Sequence, residues 1–330
     1  MSKLIQLCGL PASGKSTLSK ELAIQEDAII VSSDEMRKEL FGDVNNQENN
    51  AILFEKLHER INKLLSEGRN VIYDATNINR KRRMNLINNV LKADEYVAYY
   101  MSTTFEECIL RDSERDRQVG YDVINRMYKT LHIPTKLEGW DKVVFYTEVE
   151  NGSIYFKKEW FENKLSDSMT HESLFNRLGY LDNEFEEVLD MPHDSSYHSF
   201  SISRHIFHVF QYVKENYNKD LENRYKQLLV ASLFHDVGKA RCKSFYSHKG
   251  ELKRFASFLG HENSSAQLAC KILTKLGYDD DFVKNVVDLV QFHMMPMNMS
   301  EKQEKRLRTL LTKEQYEDLM FLHKADLSAK

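Results

Sequence analysis

The run Gly9-Leu-Pro-Ala-Ser-Gly14-Lys15-Ser16 carries the first recognisable chemistry in the chain. Its form is G-x-x-x-x-G-K-[ST]. It lies between a short apolar run, Lys3 to Cys8, and a helical stretch from Thr17 to Ile24, which is the setting such a loop needs. Glycines let backbone N–H groups turn inward around phosphate oxygens, and the following helix N-terminus adds its partial positive charge. Lys15 can bridge the β- and γ-phosphates, and the Ser16 hydroxyl can ligate Mg²⁺. The pattern predicts a cradle for a nucleoside triphosphate; a chance glycine-rich turn would lack the two flanking elements.

A cradle does not say what receives the phosphate. Ligands of open α/β sheets bind outside the carboxyl ends of the strands. Ser33-Asp34-Glu35-Met36-Arg37 follows the apolar run 28–32, and Asp74-Ala75-Thr76-Asn77 follows 70–73. Asp34 is the candidate base for an attacking hydroxyl. It would equally serve as the N-cap of a helix starting near Glu35, and both roles are compatible. Arg111 and Arg115 are four apart and share a helix face, with Arg117 just beyond. Such arginines can close over the transferred phosphoryl group. Interleaved with Asp112, Glu114 and Asp116, they also fit a salt-bridged surface helix. The run Arg80-Lys81-Arg82-Arg83 fits either contact with an acceptor's phosphates or an exposed helix start.

The later half holds a second constellation. His205 opens a helical pattern, His235-Asp236-Val-Gly-Lys239 ends an apolar helix from Leu228 to Phe234, and His261, His293 and Asp326 follow. A lone histidine on an apolar face is usually a core residue. A carboxylate buried beside an imidazole costs several kcal/mol unless something pairs with both, and a divalent metal does. Mixed imidazole and carboxylate donors suit Mn²⁺, Fe²⁺, Co²⁺, Ni²⁺ or Mg²⁺, and such an ion makes a bound water acidic enough to attack phosphorus. His198 is a further candidate for that site, while His208, His248 and His323 read as structural or exposed.

These groups need elements to hold them. Apolar runs at 3–8, 28–32, 70–73, 96–101 and 143–147 alternate with helical stretches, one of them 50–65. Alternation of this kind predicts βαβ units and a mostly parallel sheet with helices on both faces. Residues 156–197 are polar and read as a connector with some helix. From 198 onward apolar residues recur at helical spacing and strand signals are lacking, which predicts an all-α second domain. The expected division is 1–155, 156–197 and 198–330. A length of 330 residues suits two domains. A net charge of −4 gives no global basic field, so any nucleic acid must be gripped by a local patch. Cys8, Cys108, Cys242 and Cys270 show no CxxC and read as reduced, buried thiols of a cytosol. No run approaches the roughly 18 apolar residues that span a membrane, and no signal peptide is evident.

Residues 1–150 resemble the 5′-hydroxyl polynucleotide kinase family through GLPASGKST, SSDEMRKELFG, VIYDATNINRKRR and RDSERDRQVG. The resemblance implies that Gly9, Pro11, Ala12, Ser13, Gly14, Lys15, Ser16 and Thr17 bind ATP and that Ser16 binds its Mg²⁺. It implies Asp34 as general base on the 5′-OH. Arg37 would bind a phosphate of the acceptor, and Asp74, Thr76 and Asn77 would shape the acceptor and lid region. Arg115 and Arg117 would be lid arginines over the β- and γ-phosphates, with Arg111 beside them. Residues 198–330 resemble the HD phosphohydrolase superfamily in the order H…HD…D and in HDVGK. That implies metal ligands His205, His235, Asp236 and Asp326, with His261 and His293 for a second metal or the phosphate, and Lys239 on the substrate phosphate.

Together the halves resemble bifunctional end-healing enzymes of bacteria and phages. The implied function is to phosphorylate a 5′-OH end and to hydrolyse a 3′-phosphate or 2′,3′-cyclic phosphate. The partners would be RNA or DNA ends, ATP and a polynucleotide ligase, without a membrane. The place would be the cytoplasm of a bacterial cell or phage-infected host. A metabolite or nucleoside kinase fused to a nucleotidase is the competing enzyme reading. A nucleic-acid sensor with a degenerate HD half would require missing ligands, whereas all four positions of H…HD…D are filled.

Overall fold

The computed structural model describes residues 1–46, 48–147, 158–166, 168–195, 199–247 and 249–329. His198, His248 and the expected boundary at 155/156 lie outside the described residues. The chain divides into two compact units, Met1–Glu148 and Val149–Lys330.

The first unit is a five-stranded parallel sheet in the order β2-β3-β1-β4-β5. Its strands are β1 (Lys3–Cys8), β2 (Ala28–Ser32), β3 (Asn70–Asp74), β4 (Glu95–Met101) and β5 (Lys142–Tyr146). Side chains of β1 alternate between two apolar layers. Leu4 packs with Val31, Val71 and Tyr73 and with Leu53, Leu57, Ile61 and Leu65, while Ile5 and Leu7 pack with Leu18, Leu22, Ile72, Val97 and Met101. Helices on both faces supply those layers: α1 (Lys15–Gln25), α2 (Ser33–Phe41), α3 (Asn50–Ser66), α4 (Arg80–Asn85), α5 (Phe105–Ser113) and α6 (Tyr121–Thr130). Burial on both faces is why the strands read as unbroken apolar runs. β1 lies between β3 and β4, so the strand order reverses there. The loop after β1 thus opens at the crevice where open α/β sheets bind ligands.

The second unit is helical. The stretch 156–197, read as a connector, contributes α7 (Lys158–Ser166), α8 (His171–Leu178) and α9 (Glu184–Glu187) to it. Their polar composition hides an apolar stripe: Phe161, Leu174, Phe175, Leu178, Phe185 and Val188 are buried, and Phe185 meets Phe234 edge to face. The remaining helices are α10 (Ile202–Asn216), α11 (Glu222–Phe234), α12 (Lys239–Cys242), α13 (His261–Lys275), α14 (Asp280–Phe292), α15 (Glu301–Arg308) and α16 (Lys313–Ser328). Between α12 and α13 lies a short antiparallel hairpin that the helical spacing did not reveal, β6 (Ser244–Tyr246) and β7 (Leu252–Ser257). It has no buried apolar face to leave a period-2 signature. Cys8, Cys108, Cys242 and Cys270 are free and buried, as expected. Among the described residues no helix is long and apolar enough to cross a membrane.

Candidate functional site

In the first unit the loop after β1 turns into α1 through Gly14, whose φ of 85° is a left-handed value that glycine adopts without strain. Lys15, buried, curls back over the loop: its Nζ donates to the carbonyls of Gly9 (3.2 Å) and Leu10 (2.5 Å) and to Ser13 Oγ (3.3 Å). Burial lowers its pKa, opposed by the charge of Asp74. The Ser16 hydroxyl donates to Asp74 Oδ2 at 3.1 Å. Burial raises the Asp74 carboxyl, while Lys15 and the Ser16 hydrogen bond pull it down. Asp74 thus sits against Ser16, the residue expected to ligate Mg²⁺. Its neighbours are framework: Thr76 O accepts from Gly9 N (3.0 Å), and Asn77 Nδ2 donates to Leu7 O (2.8 Å).

Asp34 is not an N-cap. The cap of α2 is Ser32, whose hydroxyl accepts from Asp34 N, and this leaves the Asp34 carboxylate free to project. Arg37 donates to it at 3.1 Å, and Arg117 lies 3.3 Å from its other oxygen. Arg37 is buried and also donates to Asn50 Oδ1 (2.9 Å), so it is a fixed cation behind an exposed carboxylate. Arg117 is also tied to Asn45 Oδ1 and Val44 O. Arg111 pairs with Glu107, and Arg115 is near enough to Lys15 to lower its pKa. The three arginines therefore part company, with Arg115 toward the cradle and Arg117 on Asp34. What shapes the segment is Asp112, which the charge pattern placed among the acids of a salt-bridged surface helix. The buried carboxylate of Asp112 accepts from Val119 N (2.9 Å) and Gly120 N (2.9 Å), closing 112–120 into a loop.

The basic run splits as well. Arg80 and Arg83 are buried on Glu138, at 3.2 and 2.8 Å. Burial would raise the Glu138 carboxyl, but Arg83 and Arg80 outweigh it and hold it below its ordinary value. Only Lys81 and Arg82 remain for an acceptor, because residues three apart on α4 face the same buried carboxylate.

In the second unit all six predicted ligands converge. His205 on α10, His235 and Asp236 just after α11, His261 at the start of α13, His293 just after α14 and Asp326 on α16 form two neighbouring sets. His205, His235 and Asp326 are one, and Asp236, His261 and His293 the other. Asp236 joins them: Oδ2 is 3.3 Å from His205 Nε2, and Oδ1 is 3.1 Å from His261 Nε2. Asp326 Oδ1 is 3.0 Å from His205 Nε2. Each histidine engages a backbone carbonyl through Nδ1, of Ala329, Ser232, Phe258 and Val290 respectively, at 2.7–2.8 Å. A carbonyl can only accept, so the proton belongs on Nδ1 and the Nε2 lone pair points inward, the tautomer a metal requires. Gly238 makes the approach of α13 possible, since a Cβ there would meet Ser265 N at 2.6 Å and His261 O at 2.7 Å.

The electrostatics ask for a cation. Burial lowers His235 to about 3, keeping it a neutral donor. Against the same effect, the Asp236 and Asp326 carboxylates, accepting from its Nε2, raise His205 to about 9, so a metal there would take the place of that proton. One buried and one half-buried carboxylate together with four inward-turned Nε2 atoms are a donor set for divalent metal, and the residues fit it. Lys239 is buried against the cluster, with Nζ on Asp236 Oδ2 (2.6 Å) and 3.2 Å from Nε2 of a fifth buried histidine, His193. His193 precedes the H…HD…D set, and only the fold brings it in.

Residues 4–134 match the AAA domain family, and residues 201–328 match the HD domain family. L-seryl-tRNA(Sec) kinase of Methanococcus maripaludis is 30% identical over 150 residues, 42% of this chain and 56% of that protein's length. Among solved structures, one of a Pnkp1/Rnl/Hen1 complex is 26% identical over 36% of this chain and 41% of that chain, with a TM-score of 0.32. A Chloroflexus aurantiacus j-10-fl protein described as a kinase is 16% identical, covers 55% of this chain and 97% of its own, and has a TM-score of 0.34. The chain thus joins a P-loop kinase domain of the AAA type, which implies a nucleoside triphosphate and Mg²⁺, to a metal-dependent HD domain.

Proposed function

We propose that the first unit transfers the γ-phosphate of ATP to the 5′-hydroxyl end of a polynucleotide. The second unit then hydrolyses a phosphoester at a 3′ end, a 3′-phosphate or a 2′,3′-cyclic phosphate. The observation that carries this reading is the exposed Asp34 carboxylate backed by the buried Arg37 guanidinium beside the cradle. A nucleotide acceptor brings a hydroxyl and a phosphate together, and needs a base and a cation side by side.

Asp34 takes the proton of the attacking hydroxyl. The new oxygen–phosphorus bond forms as the bond from the γ-phosphorus to its bridging oxygen breaks, and ADP leaves with that electron pair. Lys15 and the lid arginines offset charge on the phosphates. Ser16 and Asp74 would hold Mg²⁺. In the HD unit His205, His235 and Asp326 would hold one ion and Asp236, His261 and His293 another, drawn from Mn²⁺, Co²⁺, Ni²⁺, Fe²⁺ or Mg²⁺. Such ions polarise a phosphoryl oxygen and make water a better nucleophile. Lys239 would neutralise the substrate phosphate, and the four backbone carbonyls keep the imidazoles in their donor tautomer. The healed ends are what a polynucleotide ligase consumes, in the cytoplasm of a bacterium or phage-infected host.

The match to a seryl-tRNA kinase favours a second reading, in which the acceptor hydroxyl is carried by a tRNA. Transfer of labelled γ-phosphate to a 5′-OH oligonucleotide, beside seryl-tRNA and Lys15→Ala, separates the two. Label on the oligonucleotide that is lost in the variant supports end phosphorylation. Label on seryl-tRNA alone replaces it.

A further inference from the structure

The hairpin β6–β7 projects with both faces in solvent. Tyr246 is 60% exposed, Leu252 74% and Phe255 41%, and Lys249, Lys253 and Arg254 are exposed among them. Between residues 243 and 261 stand four basic residues and one acidic residue, Glu251, in a chain whose net charge is −4. Lys249, Lys253 and Arg254 have no carboxylate partner among the described residues, whereas Lys243 is held by Asp194 at 2.7 Å. The Arg254 guanidinium lies 5.1 Å from the Phe255 ring. A two-stranded hairpin with no apolar cover is marginal by itself, and exposed aromatics among unpaired cations mark a contact surface.

Its root is the wall of the metal cluster. β7 runs through Phe258 into His261, and Phe258 O accepts from His261 Nδ1. The Phe258 ring stands 5.4 Å from Lys239 Nζ and 6.0 Å from the His193 ring. Ala256 N donates to Asp194 O, next to His193. Whatever lies along the hairpin therefore leads to the HD site.

We infer that this hairpin is the binding platform for the single-stranded segment of a polynucleotide whose 3′ end enters the HD site, an inference that rests on the function proposed above. Cations alone would fit a duplex equally well. Exposed rings set among those cations fit bases that are already unstacked, because every base has a π-face to offer.

The test uses the full chain and compares kcat/KM on a single-stranded oligonucleotide with a 3′-phosphate to that on a 3′-mononucleotide. Two variants are examined, Lys253→Gln/Arg254→Gln and Phe255→Ala. The oligonucleotide-to-mononucleotide ratio should fall about tenfold in each, through KM, and the salt dependence of the oligonucleotide KM should flatten in the charge variant only. Lys253→Arg should retain the wild-type ratio. An equal fall on both substrates would overturn the proposal, showing a general disturbance of the site. So would a wild-type protein with no preference for the oligonucleotide, or unaltered ratios with lost binding of an acidic protein. If the wild type hydrolyses neither substrate, the end-healing reading itself has failed, a result separate from these.

Discussion

The two active centres are built in opposite ways. The phosphate cradle is made largely of backbone from one short run, Gly9 to Ser16, with Asp74 the distant contributor. The HD cluster gathers six side chains from five separate helices and turns, only His235 and Asp236 being neighbours in sequence, and the backbone carbonyl that orients His205 belongs to Ala329. A local site survives as long as its loop and strand do. A site gathered from five places depends on the packing of the whole unit and tolerates no missing member at its centre. The comparison breaks most sharply at Asp236, which touches both ligand sets. Asp236→Ala should bring phosphoester hydrolysis to background and strip divalent metal from the unit, measured by elemental analysis. Kinase activity should persist, and loss of both would show that the units do not work independently. Asp34→Asn should be next in size, lowering phosphotransfer kcat by 10²–10⁴-fold, roughly what a positioned general base contributes. Hydrolysis and ATP binding should be unchanged.

The same contrast explains what could be read from the sequence. The parallel sheet and the cradle were legible because burial on both faces leaves apolar runs, and because the motif is contiguous. The convergence of the histidine–aspartate cluster was legible because His235-Asp236 is an improbable pair to bury and because the order H…HD…D resembles a known superfamily. What was not legible is long-range. Glu138 neutralises Arg80 and Arg83 across 55 residues or more, so a run read as acceptor-binding or exposed proves to be half core. Asp112 and His193 act through partners that no spacing announces. The hairpin β6–β7 carries no periodicity because neither face is buried, and Ser32 rather than Asp34 caps α2 because the helix starts two residues early.

Those hidden partners give smaller effects that sharpen the comparison. Glu138→Gln keeps the shape but leaves the buried Arg83 without a countercharge. The first unit should lose about 3 kcal/mol or more, seen as a lower Tm for that unit with the HD unit unmoved. Because the folded Glu138 carboxyl is held below its ordinary value, its stabilisation is complete at neutral pH. It is lost as the pH falls through that depressed folded value.

The smallest effect is confined to mild acid. His132 follows α6, is largely buried beside Arg80 and Arg83, and its Nδ1 has no partner among the described residues. Burial first, then the two arginines, lower it from 6.5 to about 4. Between those values the unfolded chain binds a proton there that the folded chain does not, so stability falls as the pH drops from about 6.5 toward 4. At pH 7 both states are neutral and the residue is silent. His132→Gln should therefore leave the stability of the first unit nearly unchanged at pH 7.5 and flatten its decline between pH 6.5 and 4.5, measured by urea unfolding. An unchanged slope would mean that His132 is protonated without penalty, and the acid sensitivity would then belong to Glu138 and the other carboxylates. The HD unit offers no such clean titration, because the imidazoles of its cluster share the Asp236 carboxylate and His208 outside it is shifted down as well. A pH effect located in the first unit alone is thus the mildest expression of the difference between the two sites.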